Sequence, residues 1–238
     1  MEVLTADVRG KIRAVPSLEP FVHALLIVPL TLLPIINPLS TAPVFLMTAG
    51  GDPANTRRLA WQVALNCWYV ILGALFVGTY VLDFFGISLP IVRVGGGLLV
   101  AASGWRMLNR SEDDEVHVAV ARGQAQILSP QALAQRSFFP LTFPLTTGPG
   151  TIAAAIAIGA SLPREPARYL VAALVAAAGA TLTVVAVYLV YRNTRRLLAR
   201  LGDVGTLVMA RLMAFVLLCI GIEILWTGWS ELNRIGSR

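Results

Sequence analysis

Charge is what this sequence has least of. Only 13% of its 238 residues are charged, 56% are hydrophobic and the mean hydropathy is +0.72. A soluble domain carries about a quarter charged residues, so a water-soluble globule of this size could not hide so much apolar surface. Residues 59–82 and 169–191 carry no charge at all, and each exceeds the roughly 20 residues that cross a hydrocarbon core about 30 Å thick. Histidine is limited to His23 and His117, at the edge of an apolar segment and in a polar stretch. That leaves no base for a mid-membrane serine, argues against an intramembrane protease and supplies no catalytic residue. Cys67 and Cys219 lie inside apolar segments without CxxC spacing, which reads as free thiols rather than redox chemistry. Lys11 is the lone lysine among 19 basic residues, and the net charge of +6 comes from arginines placed singly or in pairs beside apolar stretches. That is the pattern of membrane flanks and not of a nucleic-acid face.

Six apolar segments can be marked, at about 21–49, 59–82, 87–109, 137–161, 168–191 and 205–230. Helix is the expected state for all of them, because a segment in lipid must satisfy its own backbone hydrogen bonds and nothing here alternates as barrel strands do. The expected organisation is an extramembrane tail (1–20), which lacks a signal peptide's apolar run, a first three-helix unit (21–109), a polar linker (110–136), a second three-helix unit (137–230) and a short tail (231–238). The linker opens with Glu112, Asp113, Asp114 and Glu115, a solvated charge run rather than a metal site; no metal or cofactor is expected. Arg57, Arg58, Arg110, Arg122, Arg136, Arg192, Arg195, Arg196 and Arg200 follow spans one, three and five, against Arg164 and Arg168 after spans two and four. By the positive-inside rule the richer set is cytoplasmic, which puts both termini outside.

The two units echo each other where function would need it. Residues 34–43 read PIINPLSTAP and residues 140–151 read PLTFPLTTGPGT, so spans one and four each carry a helix-breaking cluster at mid-membrane depth. Proline blocks a helix interior but fits its first turn, so Asn37-Pro38 and Gly148-Pro149 each read as a stop and a fresh start. A fresh helix offers free N–H groups and a positive dipole end, which suit an anionic group such as a carboxylate. Three spans per unit means the second is inverted, and interrupted helices in matching positions of inverted repeats point to a transporter's binding site. The candidate site residues are therefore Asn37, Pro38, Leu39, Ser40 and Thr41 with Thr146, Thr147, Gly148, Pro149, Gly150 and Thr151. The plainer alternative is a pair of proline kinks that serve packing alone.

Charges inside spans cost about 2.5–3.5 kcal/mol at a helix centre. Arg93 and Glu223 lie at similar depths from the outer ends of spans three and six and are expected to pair, either as a gating or proton-sensitive contact or as a static structural pair. Arg211 can snorkel to its interface. Asn66, Thr181 and Thr183 are expected to hydrogen-bond between helices, and Gly97, Ala101 and Gly104 to form a close-packing face.

Three stretches, NPLSTAPVF (37–45), RVGGGLL (93–99) and PLTTGPGTI (144–152), resemble the MarC family of bacterial inner-membrane proteins, related to SnatA-type small neutral amino-acid transporters. The likeness runs from about residue 21 to 230. It implies an all-α bacterial inner-membrane protein of six spans in inverted repeats, with glycine or alanine as the expected substrate; a proton or sodium ion is the candidate for coupling, and the sequence does not choose between them. It leaves open a homo-oligomer, and equally an accessory membrane protein or a channel. Ser40 stands where the family pattern leads one to expect glycine, and Glu223 where an uncharged residue is expected.

Overall fold

The computed structural model describes residues 18–50, 52–109, 135–163 and 165–236. The acidic run 112–115, His117 and most of the expected linker lie outside the described residues. Eight helical elements follow: α1 (Leu18–Ile36), α2 (Pro38–Thr48), α3 (Pro53–Phe84), α4 (Leu89–Leu108), α5 (Ser137–Thr146), α6 (Pro149–Ala160), α7 (Pro166–Arg192) and α8 (Thr194–Gly236). α1 begins inside the expected N-terminal tail, and α8 continues past the expected C-terminal boundary at 230.

Four helices are long and apolar enough to cross a membrane, and the bent pairs α1–α2 and α5–α6 bring the number to six if each counts as one span. Their bends are 57° and 68°. Both are under a right angle, so the second helix of each pair keeps a component along the first instead of folding back on it. At about 1.5 Å per residue, Leu25–Ile36 and the tilted α2 together advance roughly 27 Å, close to the thickness of a hydrocarbon core.

The packing is arranged in matching pairs. α1 lies on α7 as α5 lies on α3, α2 on α8 as α6 on α4, and α2 on α7 as α6 on α3, while α4 packs along α8. This is the pairing that two like three-span units produce when they face each other, and it sets both breaks in the interior. The centre between them is filled by Val28, Leu32, Phe45, Leu59, Val63, Ile71, Ala155, Ala180 and Val187, all almost fully buried. Apolar side chains such as Leu30, Tyr80, Leu98, Leu174 and Phe215 face outward, where lipid would cover them.

The α4–α8 contact is backbone against backbone. A Cβ at Gly97 would collide with Leu225 and Gly221, one at Gly104 with Leu218 and Ala214, and one at Gly221 with Ala101. Lipid supplies no hydrophobic drive between helices, so close approach through small residues substitutes for it. The expected face of Gly97, Ala101 and Gly104 is thus present, and Gly221 and Gly228 complete it from the other side. Gly202, at φ 64°, breaks α8 just before its membrane-crossing part, Val204–Arg234.

Candidate functional site

The first break is built by two adjacent residues. Asn37 sits in the left-handed region (φ 45°, ψ 62°), where asparagine is among the few side chains that rest at modest cost, and its Oδ1 accepts from the Ser40 N–H at 3.4 Å. Pro38 then occupies the first helical position, where no N–H is wanted. Asn37 is 5% exposed and its Nδ2 has no hydrogen-bond partner; the buried Ser40 Oγ has none either. Unpaired buried polar groups are rare because each costs about 1–3 kcal/mol. Two of them stand together at the positive end of α2.

The second break solves its backbone problem differently. Phe139 and Phe143 are extended, as residues before proline prefer to be, and the segment closes in wide turns. Three threonine hydroxyls donate to carbonyls five residues back: Thr142 to Ser137 at 2.7 Å, Thr146 to Leu141 at 2.6 Å and Thr147 to Thr142 at 3.0 Å. These hydroxyl bonds run alongside the wide-turn backbone bonds, the Thr142 carbonyl also accepting from the Thr147 N–H at 2.7 Å. Thr146 and Thr147 are therefore spent as donors. Gly148 caps α6 without a side-chain bond, Pro149 is exposed, and Thr151 is buried. The predicted residues thus divide: the unpaired buried side-chain groups belong to the first break, while the Thr146 and Thr147 hydroxyls of the second are bonded within it.

The two breaks meet at two places. Gly150 lies against Val100 and Ile35, two residues before Asn37. More tellingly, the Tyr191 hydroxyl on α7 sits 2.8 Å from Thr41 Oγ1 and 2.8 Å from Thr146 Oγ1, fully enclosed. Thr146 gives its proton to Leu141, so it accepts from Tyr191, and Tyr191 accepts from Thr41, whose other acceptor, the Pro38 carbonyl, is further off at 3.3 Å. A single chain of hydroxyls therefore runs from the first break to the second. Phe45 stacks on the Tyr191 ring at 4.4 Å with planes 3° apart. On α3, Cys67 reaches Thr142 and Thr147, and Asn66 donates to Ser137 at 3.4 Å. Sequence reasoning missed Tyr191, because an aromatic residue at the end of a span reads as an interface anchor. Nothing in the linear order announces a partner 150 residues away.

The expected Arg93–Glu223 pair is not formed. Arg93 binds Glu231, and Glu223 is exposed on the outer side of α8 with no ion-pair partner among the described residues. The depth argument assumed that span six ends near residue 230. α8 instead runs to Gly236, and Gly228 packs on Pro90, Arg93 and Val94, so the residue level with Arg93 is eight positions further along than Glu223. Arg211 donates to the Leu108 carbonyl at the end of α4, an acceptor with no helical partner. Thr181 accepts from Trp68 across helices at 3.1 Å, as expected, whereas Thr183 bonds within its own helix to Gly179.

The matching half-units, the NP and GPG breaks and the apolar spans agree with one comparison above all: the profile described as MarC family integral membrane protein matches residues 22–232. The chain belongs to the MarC family. Relatives named inner membrane protein MarC in Escherichia coli (strain K12) and Shigella flexneri are each 33% identical over 206 residues, covering 85% of this chain and 92% of theirs. No solved structure matches the chain. Family membership and the apolar spans together make this a multi-pass inner-membrane protein, and the chain's two bent helix pairs are where its buried polar groups gather.

Proposed function

We propose that this MarC-family protein is a secondary transporter of a small neutral amino acid of the glycine or alanine type, and that the substrate carboxylate docks at the first break. The observation that carries the reading is the pair of unpaired buried groups, Asn37 Nδ2 and Ser40 Oγ, at the N-terminus of α2. An amide donor, a hydroxyl and a positive helix end form a receptor for an anion, and no other described residue uses them. Their desolvation cost falls when a carboxylate arrives, which is a reason for such groups to persist.

Close packing explains why the substrate would be small. Thr147, Thr151 and Asn37 are almost fully buried, so loading requires the breaks to part. The hydroxyl chain through Tyr191 must open on one side for that to happen, and Tyr191 adjoins Arg192, the last residue of α7. The state described is then one closed toward the arginine-rich face, which the positive-inside rule makes cytoplasmic. The Arg93–Glu231 pair and the exposed Glu223 are the candidate groups for coupling to a proton or sodium ion, and the process needs no catalytic group.

Uptake of labelled glycine and alanine into proteoliposomes, with and without imposed proton or sodium gradients, tests this. Saturable uptake competed by unlabelled substrate and lost in Asn37→Ala supports it. Uptake that never saturates selects a channel, and no uptake or exchange of any amino acid selects an accessory membrane protein.

A further inference from the structure

Where α3 begins and α7 ends, the two helices enclose an open groove of about 570 Å³ lined by Ala54, Arg57, Arg58, Trp61 and Tyr188. Residues 54, 57, 58 and 61 recur at three- and four-residue spacing, so they share one face of α3. Tyr188 and Arg192, four apart, share the facing side of α7. Trp61 and Tyr188 meet edge to face at 5.8 Å and 83° to form the floor. The Arg192 guanidinium lies 5.9 Å over the Tyr188 ring, a cation–π contact that holds its charge at the rim.

Two arginines therefore line the groove, and a third cation, Arg192, stands over the Tyr188 ring of its floor. None of them has an ion-pair partner among the described residues. The nearest carboxylate in sequence, Asp52, is occupied in capping α3, its Oδ2 accepting from the Asn55 N–H at 3.0 Å. The N-terminus of α3 adds its own positive end to the same place. Like charges gathered with no counter-ion among the described residues repel one another, and in the headgroup layer an anion is the natural remedy.

We propose that this groove binds the phosphate of an anionic phospholipid. Depth argues for a lipid over a dissolved anion. The arginines stand just outside the charge-free run that begins at residue 59, at headgroup level, and Trp61 and Tyr188 lie one turn deeper, at the level of an aromatic belt. Below them the two helices continue side by side, Trp68 donating to Thr181. Between these layers Leu65 on α3 and Val185 on α7 are exposed, an apolar track that an acyl chain can follow. Arginine's planar fork takes two phosphate oxygens at once. Three positive charges favour a headgroup with net negative charge over a zwitterionic one of the same shape. The site is independent of the transport reading, because it uses none of the residues at the breaks.

The test is lipid binding to the full-length protein in a neutral detergent, read by native mass spectrometry and by the shift in melting temperature. Phosphatidylglycerol, phosphatidylcholine with the same chains, and inorganic phosphate are the probes. Phosphatidylglycerol is expected to bind saturably, at least tenfold more tightly than phosphatidylcholine, and to lose at least tenfold in the variant Arg57→Gln, Arg58→Gln, Arg192→Gln. Millimolar inorganic phosphate is expected neither to stabilise the protein nor to displace the lipid. Should the triple variant fail to fold, brominated phosphatidylglycerol gives a second measure: tryptophan quenching in the wild-type chain that is reduced in Trp61→Phe. Equal binding of the two lipids, unchanged binding by the variant, or quenching that Trp61→Phe leaves intact would overturn the proposal. Displacement by inorganic phosphate would overturn it in favour of a soluble anion.

Discussion

Replacing Tyr191 by Phe removes one oxygen atom from the junction of the two breaks and keeps almost everything else. The ring and its stack on Phe45 remain, so no cavity larger than a hydroxyl is left. Thr146 retains its bond to Leu141 at 2.6 Å, and Thr41 can turn to the Pro38 carbonyl, 3.3 Å away. Neither threonine is stranded, so the change costs two interhelical hydrogen bonds and no orphan penalty. Such bonds average about 0.6 kcal/mol each within membranes, which makes roughly 1.2 kcal/mol and about an eightfold rise in the open population. Cys67 is the native reporter: its thiol is buried beside Thr142 and Thr147, whereas Cys219 is exposed and can be replaced by serine. The rate at which an impermeant methanethiosulfonate modifies Cys67 from the arginine-rich side measures how often the junction opens. Tyr191→Phe should raise that rate about eightfold from that side and much less from the other. A change below twofold, or an equal rise from both sides, would refute the idea that this hydroxyl holds the two breaks closed.

Other consequences are sharper in stability or in pairing. Asn37→Ala loses a cap worth about 0.5–2 kcal/mol and adds a left-handed penalty of about 1–2 kcal/mol, so its melting temperature in detergent should fall clearly. Asn37→Gly should nearly preserve stability while abolishing uptake, and equal stability of the two variants would contradict the left-handed assignment. Gly221→Leu drives a side chain into Ala101 on α4 and should destabilise the protein by about 1–3 kcal/mol or more, seen as loss of the monodisperse peak on heating. In a double-mutant cycle, Arg93→Gln and Glu231→Gln should couple by about 1 kcal/mol, as a partly buried pair does. Arg93→Gln and Glu223→Gln should be additive, and the reverse outcome would reinstate the pairing with Glu223.

How much of this was legible beforehand can be judged from particular residues. Asn37-Pro38 and Gly148-Pro149 declare their breaks in the linear text, because a proline with no donor and a residue tolerant of positive φ act locally. The glycines at 97 and 104 likewise announce a close contact by their spacing. The partner of Arg93 was not legible, since a depth count from one helix end cannot supply the register against another. Nor was the imbalance between the breaks, because the threonines at 146 and 147 read as free hydroxyls until the wide turns show them bonded to carbonyls.

The amino-acid order by itself determined that this chain lives in a membrane, that its apolar segments are helices, and where two of those helices must stop and start again. Each of these follows from solvation and backbone chemistry within a few residues of the site concerned. Only the tertiary structure decided that Tyr191 joins Thr41 to Thr146, that Glu231 and not Glu223 answers Arg93, and that Asn37 and Ser40 keep unpaired polar atoms. Those outcomes depend on helix register and bend angle, which are set when whole faces pack together.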